Sequence, residues 1–179
     1  MRKKKKQKLK EQKFWGTFAY FSTPQLPDGI PSHLERVNFR IWDSVGDEEI
    51  EMMITHVQSI NMLDLDETDI TNYSVQLLTK LSFIKELRLK GCGEINDEAN
   101  PHINNIKGLE LLHIDGTSIS ISGVLQLRAS HPLRMLLIGV DDPEQHQDEL
   151  ITIAQRFPDC EFIVNHKSFT IKKDDDWSI

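Results

Sequence analysis

The chain has 179 residues, 39% of them apolar and 27% charged, with a formal net charge of −7 at pH 7. That length suits one domain with a sizeable core, and no stretch approaches the ~18 consecutive apolar residues of a membrane span. Two cysteines, Cys92 and Cys160, are too few for a disulfide framework and fit a reducing, cytoplasmic setting.

Residues 1–13 hold Arg2, Lys3, Lys4, Lys5, Lys6, Lys8, Lys10 and Lys13 against one acid, Glu11. The segment carries +7, which leaves −14 on the rest of a chain whose total is −7. It reads as a flexible basic arm able to contact an anionic surface. The acidic body weighs against a nucleic-acid partner, because duplex affinity is built from phosphate neutralisation. Phe14 and Trp15 also follow the lysines rather than interleave with them. The apolar run 14–21 is short and lacks a cleavage site, so it does not read as a secretory signal. With Pro24, Pro27 and Pro31, residues 14–35 read as an irregular N-terminal cap whose aromatics cover the open end of a folded body.

Beyond residue 35 the chain is periodic. Leu65, Leu89, Ile114, Ile138 and Phe162 lie 24, 25, 24 and 24 residues apart, each ending a short apolar alternation. The units read Ile60-x-x-Leu63-x-Leu65-x-x-Thr68-x-Ile70-Thr71, then Ile84-x-x-Leu87-x-Leu89-x-x-Cys92, then Leu109-x-x-Leu112-x-Ile114-x-x-Thr117-x-Ile119-Ser120. Two more complete the series, Leu133-x-x-Leu136-x-Ile138-x-x-Asp141 and Phe157-x-x-Cys160-x-Phe162-x-x-Asn165. Helix-period apolar residues stand between the units, such as Val75 and Leu78. The same ruler carried backward puts Ile41 at the position of Leu65, in a first strand over 36–42, and a helix over 47–60 with acids in its first turn. A period in the twenties predicts stacked units with atypical ends.

These units resemble the leucine-rich repeat family, in its T-x-I-T/S and C-x-x-I-N-D styles, over roughly residues 57–165. The resemblance implies an α/β fold: a leucine-rich repeat solenoid with about six parallel strands on a concave face and helices on a convex one. Residues 36–166 form the solenoid and 167–179 an acidic C-terminal tail. The column Ser44, Thr68, Cys92, Thr117, Asp141 and Asn165 is expected to tether turn backbones, since buried turn amides need partners. Cys92 is therefore expected to be structural.

Strand alternation turns 62, 64 and 66, and their equivalents, outward. The predicted outward face reads Asn38, Arg40 and Trp42, then Met62, Asp64 and Asp66, then Glu86, Arg88 and Lys90. It continues Leu111, His113 and Asp115, then Met135, Leu137 and Gly139, then Asp159, Glu161 and Ile163. Two features mark it: alternating charges from Arg40 through Asp64 to Arg88 and Lys90, and an apolar patch of Leu111, Met135 and Leu137. An apolar patch on an open sheet face needs a cover. A protein partner, a second copy, or the segment from Phe169 to Trp177 would serve. Arg40, Trp42, Asp64, Arg88, Lys90, Leu111, His113, Met135 and Leu137 are the candidate partner-binding residues.

Nothing in the chain points to catalysis, a metal or a cofactor. The histidines lack ligand spacing, Gly91-Cys92-Gly93 is a turn within a repeat, and Asp174-Asp175-Asp176 lacks the spacing of a calcium loop. The resemblance implies a non-enzymatic scaffold that binds a protein on its concave sheet. The alternative is an assembly subunit or homodimer whose patch is permanently buried.

Overall fold

The structure, a computed structural model, describes residues 2–22, 29–171 and 177–178. Helix α1 (Arg2–Ser22) leads. The strands are β1 (His33–Asn38), β2 (Ser59–Asp64), β3 (Phe83–Arg88), β4 (Leu111–His113), β5 (Met135–Ile138) and β6 (Glu161–Val164). Between them lie helices α2 (Asp47–Met53), α3 (Asn72–Leu78), α4 (Asn100–Ile103), α5 (Ile121–Val124) and α6 (Gln147–Arg156), with a 3-10 turn at Asp97–Ala99 leading into α4. The six strands lie side by side in chain order, each parallel to the next, and β7 (Lys167–Ser168) closes antiparallel on β6. The fold is α/β, a seven-stranded, mostly parallel sheet whose strands alternate with helices.

The strand alternation sorts the side chains. Val37, Leu63, Leu87, Leu112, Leu136 and Phe162 are register partners across the six parallel strands and are all buried. Phe39, Leu65, Leu89, Ile114, Ile138 and Val164 form a second buried row at or just beyond the strand ends. Helix residues Ile50, Met53, Val75, Leu78, Ile103, Val124, Leu150 and Ile153 join both rows in one core. The helices therefore pack on one side of the sheet and leave the other side to the outward residues.

The register corrects the sequence reading at both ends. Val37 pairs with Leu63 and Phe162 with Leu136, so the first and last steps are 26 residues and the inner ones 24, 25 and 24. The first strand is His33–Asn38 rather than 36–42, and its helix stops at Met53. The last outward residues are Glu161 and Ile163, opposite Met135 and Leu137; Asp159 precedes the strand. A two-residue slip keeps every side chain on its face, so alternation alone does not detect it.

Turns between units repeat as well. Glu67, Gly91 and Gly116 all take positive φ, 61°, 72° and 69°, at the same point after β2, β3 and β4. The next residue closes the turn. Thr68 Oγ1 donates to the Leu65 carbonyl at 2.7 Å, Thr117 Oγ1 to Ile114 at 2.7 Å, and Cys92 Sγ to Leu65 of the preceding unit at 3.1 Å. Burial pushes the Cys92 thiol above its usual range, which suits a structural group and not a nucleophile. Asn165 stands outside that column: its side chain brackets Val140, accepting from the amide at 2.9 Å and donating to the carbonyl at 2.8 Å.

Carboxylates latch one unit to the next. Asp47 accepts from the Thr71 amide at 2.9 Å, the Thr71 hydroxyl at 2.8 Å and the Ser74 hydroxyl at 2.5 Å. Burial alone would raise the Asp47 pKa, but these donors outweigh it and hold the carboxyl below the usual range. Asp97 does the same for Ser120, at 2.8 Å and 2.7 Å. There Gly123 takes the place of Ser74, and a Cβ on it would stand 2.0 Å from Asp97 Oδ1 and 2.8 Å from Asn100 Nδ2. Gly123→Ala is therefore expected to break the Asp97–Ser120 latch and cost about 1–3 kcal/mol, read as a lower urea midpoint. An unchanged midpoint would show that Asp97 has room to retreat.

Both ends of the sheet are closed. Residues 2–13 of the basic segment expected to be flexible are helical, and so are 14–22 of the segment expected to be irregular; α1 runs through both. Phe14 and Phe18 are buried, with Phe18 6.0 Å from Phe39 and Phe14 5.7 Å from Trp42 between ring centroids. Lys10 pairs with Glu48. At the other end Asn165 and His166, at φ 50° and 65°, form a tight two-residue turn into β7, as a hairpin with matching twist requires. Phe169 then packs on Phe162 at 5.4 Å. Residues 167–171 thus belong to the folded body, with β8 (Thr170–Ile171) pairing β9 (Trp177–Ser178). Phe169 covers the core end rather than the outward face. Asp174 to Asp176 lie outside the described residues.

Candidate functional site

The outward face carries three rows. Arg36, Met62, Glu86, Leu111, Met135 and Glu161 form the first, and Asn38, Asp64, Arg88, His113, Leu137 and Ile163 the second. Continuing the register past the strand ends gives the third: Arg40, Asp66, Lys90, Asp115 and Gly139. A groove of about 630 Å³ runs along the first row, edged by Glu35, Lys85, Glu110 and Arg134.

The half over β1 to β4 is polar, and much of it is buried. Asp64, Asp66 and His113 are 7%, 5% and 8% exposed. Asp66 Oδ1 accepts from the Lys90 amide at 2.9 Å, and Asp64 Oδ1 from the Asp66 amide at 3.2 Å. The third row alternates in sign, Arg40, Asp66, Lys90, Asp115, so each charge has an opposite neighbour across the sheet. Arg40 also reaches Glu67 at 3.0 Å, and Asp115 reaches His166 at 3.4 Å. Gly139 makes room for this pairing, because a Cβ there would stand 2.3 Å from Asp115 Oδ1. Burial, with the Asp64 charge added, raises the Asp66 pKa despite the Lys90 amide. Burial lowers the His113 pKa despite the Asp66 and Asp115 carboxylates. Neither His113 Nε2 nor Arg88 Nε has a hydrogen-bond partner among the described residues.

A depressed imidazole has a definite linkage sign. His113 contributes stability that is complete above the ordinary imidazole value and is lost as pH falls through it toward the lower folded value. The raised Asp66 acts oppositely and at lower pH, its contribution being lost as pH rises through its folded value. His113→Gln is therefore expected to flatten the fall in melting temperature between about pH 7.5 and 5.5, around the ordinary value near 6.5. Parallel profiles for the two proteins would mean that His113 charges freely in the fold.

The half over β4 to β6 is apolar. Leu111 pairs Met135 in register, and His113, Leu137 and Ile163 succeed one another across the strands. Leu111, Met135, Leu137 and Ile163 are all half-buried. None belongs to the core or to the half-buried apolar side chains packed against it.

Eight of the predicted residues fall on this face: Arg40, Asp64, Arg88, Lys90, Leu111, His113, Met135 and Leu137. Trp42 does not. With the corrected register it takes the turn position that Thr68 holds in the next unit, its amide bonding the Phe39 carbonyl at 3.0 Å. There it packs on Phe39, Phe14 and Phe18. The alternation also changes partner, since Asn38 and not Arg40 stands opposite Asp64. Burial of Asp66 and His113 escapes sequence reading, because it depends on what the neighbouring strands place beside them. Burial and Glu161 push the Cys160 thiol up to about 11, and both cysteines are free. No described helix is long and apolar enough to cross a membrane. Compared with protein-family models, curated proteins and solved structures, the chain matches none of them.

Proposed function

We propose that the chain is a leucine-rich repeat solenoid that acts in the cytoplasm as a non-enzymatic scaffold, gripping a protein partner on its outward sheet face. The observation that carries this reading is the patch of Leu111, Met135, Leu137 and Ile163. These side chains are apolar, outward and unused by the core. Contiguous apolar surface bordered by charge is the composition of an interface with an apolar centre and a polar rim. The rim here is Glu86, Arg88, Lys90 and Asp115. The repeat pattern supports the family reading, and the parallel strands in chain order agree with it.

Leu137→Glu places a charge at the patch centre, where a few residues dominate interface energy. It is expected to abolish partner capture from the native host while moving the melting temperature by no more than about 2 °C, as outward substitutions do. A large loss of melting temperature would show that Leu137 is core and sink the reading. A permanent homodimer through the same patch is the competing reading. Sedimentation of the pure protein separates the two, because a monomer rules the dimer out.

A further inference from the structure

Helix α1 carries charge for which the rest of the fold has little use. Lys5, Lys6, Lys8, Lys10 and Lys13 are all exposed, and Leu9 among them is 68% exposed. Among its described side chains, α1 buries residues only from Phe14 onward. Of the five lysines, Lys10 reaches an acid, Glu48. Such a helix is poorly suited to isolation. Lys6 and Lys10 stand four residues apart, and Lys5 and Lys8, like Lys10 and Lys13, three apart, so like charges meet on successive turns. The first turn holds no acid, and the basic run occupies the helix end whose dipole favours anions. An anionic partner relieves both penalties.

The arrangement of the lysines narrows the kind of anion. They spread over roughly 200° of the helix circumference, at about 100° per residue. No apolar stripe accompanies them, since Leu9 is the sole apolar residue from 5 to 13. A helix that lies on a bilayer uses an apolar face opposite its cations, and α1 has none there. A groove walled by phosphates on both sides matches a helix charged around more than half its girth. The major groove of a duplex, about 12 Å wide, admits an α-helix. Lysine, a point charge rather than a planar fork, suits phosphate contact without base reading.

The sequence alone weighs against nucleic acid, because the body is acidic and Phe14 and Trp15 follow the lysines rather than interleave with them. Contact with backbone phosphates needs no interleaved aromatics. The acidic body meets the helix at Lys10, which pairs with Glu48, so the contacts fall to Lys5, Lys6, Lys8 and Lys13. We propose that α1 docks as a helix in the groove of duplex nucleic acid and holds its phosphates without sequence preference. This surface is separate from the sheet face.

The test is fluorescence anisotropy of the full chain with a labelled DNA duplex of about 20 base pairs and arbitrary sequence, titrated over salt. With Lys5, Lys6, Lys8 and Lys13 engaged, log K is expected to fall against log salt with a slope of about −3.6, at about −0.9 per phosphate. The triple change Lys5→Glu, Lys6→Glu and Lys8→Glu should weaken binding about 100-fold and reduce the slope by about 2.7. Leu9→Pro keeps every charge but breaks the helix, and should weaken binding about tenfold. Leu137→Glu should bind as the parent does. Melting temperatures of the variants verify that the body is folded. Absence of binding at about 50 mM salt, equal binding by Leu9→Pro, or tighter binding to phosphatidylserine vesicles than to the duplex would each overturn the proposal.

Discussion

Phe18→Ala is expected to cost about 3–5 kcal/mol, the range for a fully buried phenylalanine cut to alanine. Phe18 is 0% exposed and holds α1 against the first strand through Phe39, at 6.0 Å between ring centroids, and Trp42, at 6.3 Å. Among the described aromatics of α1 it is the most buried; Phe14 keeps 5% exposure. Its loss does more than leave a cavity. Phe14 and Phe18 pack on Phe39 and Trp42, so a loosened α1 exposes those two rings to water. β1 is the end strand of the sheet and bonds β2 on one side, and an end element without its cap is the first to open. Guanidinium unfolding monitored by tryptophan emission reads this directly, because Trp15 and Trp42 both lie at that end. A loss below about 1 kcal/mol would show that α1 is docked weakly and that β1 stands without it.

Leu89→Ala is expected to cost about 2–5 kcal/mol while the chain stays folded. Leu89 is 0% exposed, in the second buried row and one residue past β3. Its amide donates to the His113 carbonyl at 2.8 Å, so the backbone there is tied to the following unit and cannot slide to fill the void. Buried neighbours Leu65 and Ile114 lie on either side in the same row, which makes the cavity one between units rather than at an end. The cost should appear as a lower denaturant midpoint with an unchanged slope, since the surface exposed on unfolding is almost the same. Amide exchange should speed up across β2, β3 and β4 together. A change confined to one unit, or a cost near that of Leu137→Glu, would mean that inward and outward rows have been exchanged.

The contrast between Leu89 and Leu137 shows how far alternation alone reaches. Apolar residues at every second position assign the faces, because a strand turns successive side chains to opposite sides. That rule separates Leu63, Leu65, Leu87 and Leu89 from Asp64, Arg88, Lys90 and Leu137, and the structure places each on the predicted side. The same rule is blind to a shift of two. It therefore puts Ile41 in place of Phe39 and Phe162 in place of Val164, and carries Trp42 onto a face it does not occupy. The inner units escape the error because their turns repeat in length, with Glu67, Gly91 and Gly116 at the same left-handed position. The end units have loops of other lengths, and nothing in the alternation records it.

The helical state of residues 2–13 is hidden for a related reason. A run of lysines has no apolar period, so it signals neither helix nor strand. What makes it helical is its continuity with 14–22, where Phe14 and Phe18 find a surface on Phe39 and Trp42.

By itself, then, the sequence determined the alternation of strands and helices from β1 to β6, the two faces of the sheet and the core leucines, because all three arise from local periodicity. Tertiary structure alone decided the register of the two end strands, the helical state of the basic segment and the burial of Asp66 and His113. Each of these depends on what the neighbouring unit offers: a partner backbone, an aromatic surface, or cover from water. No spacing along one chain encodes that directly.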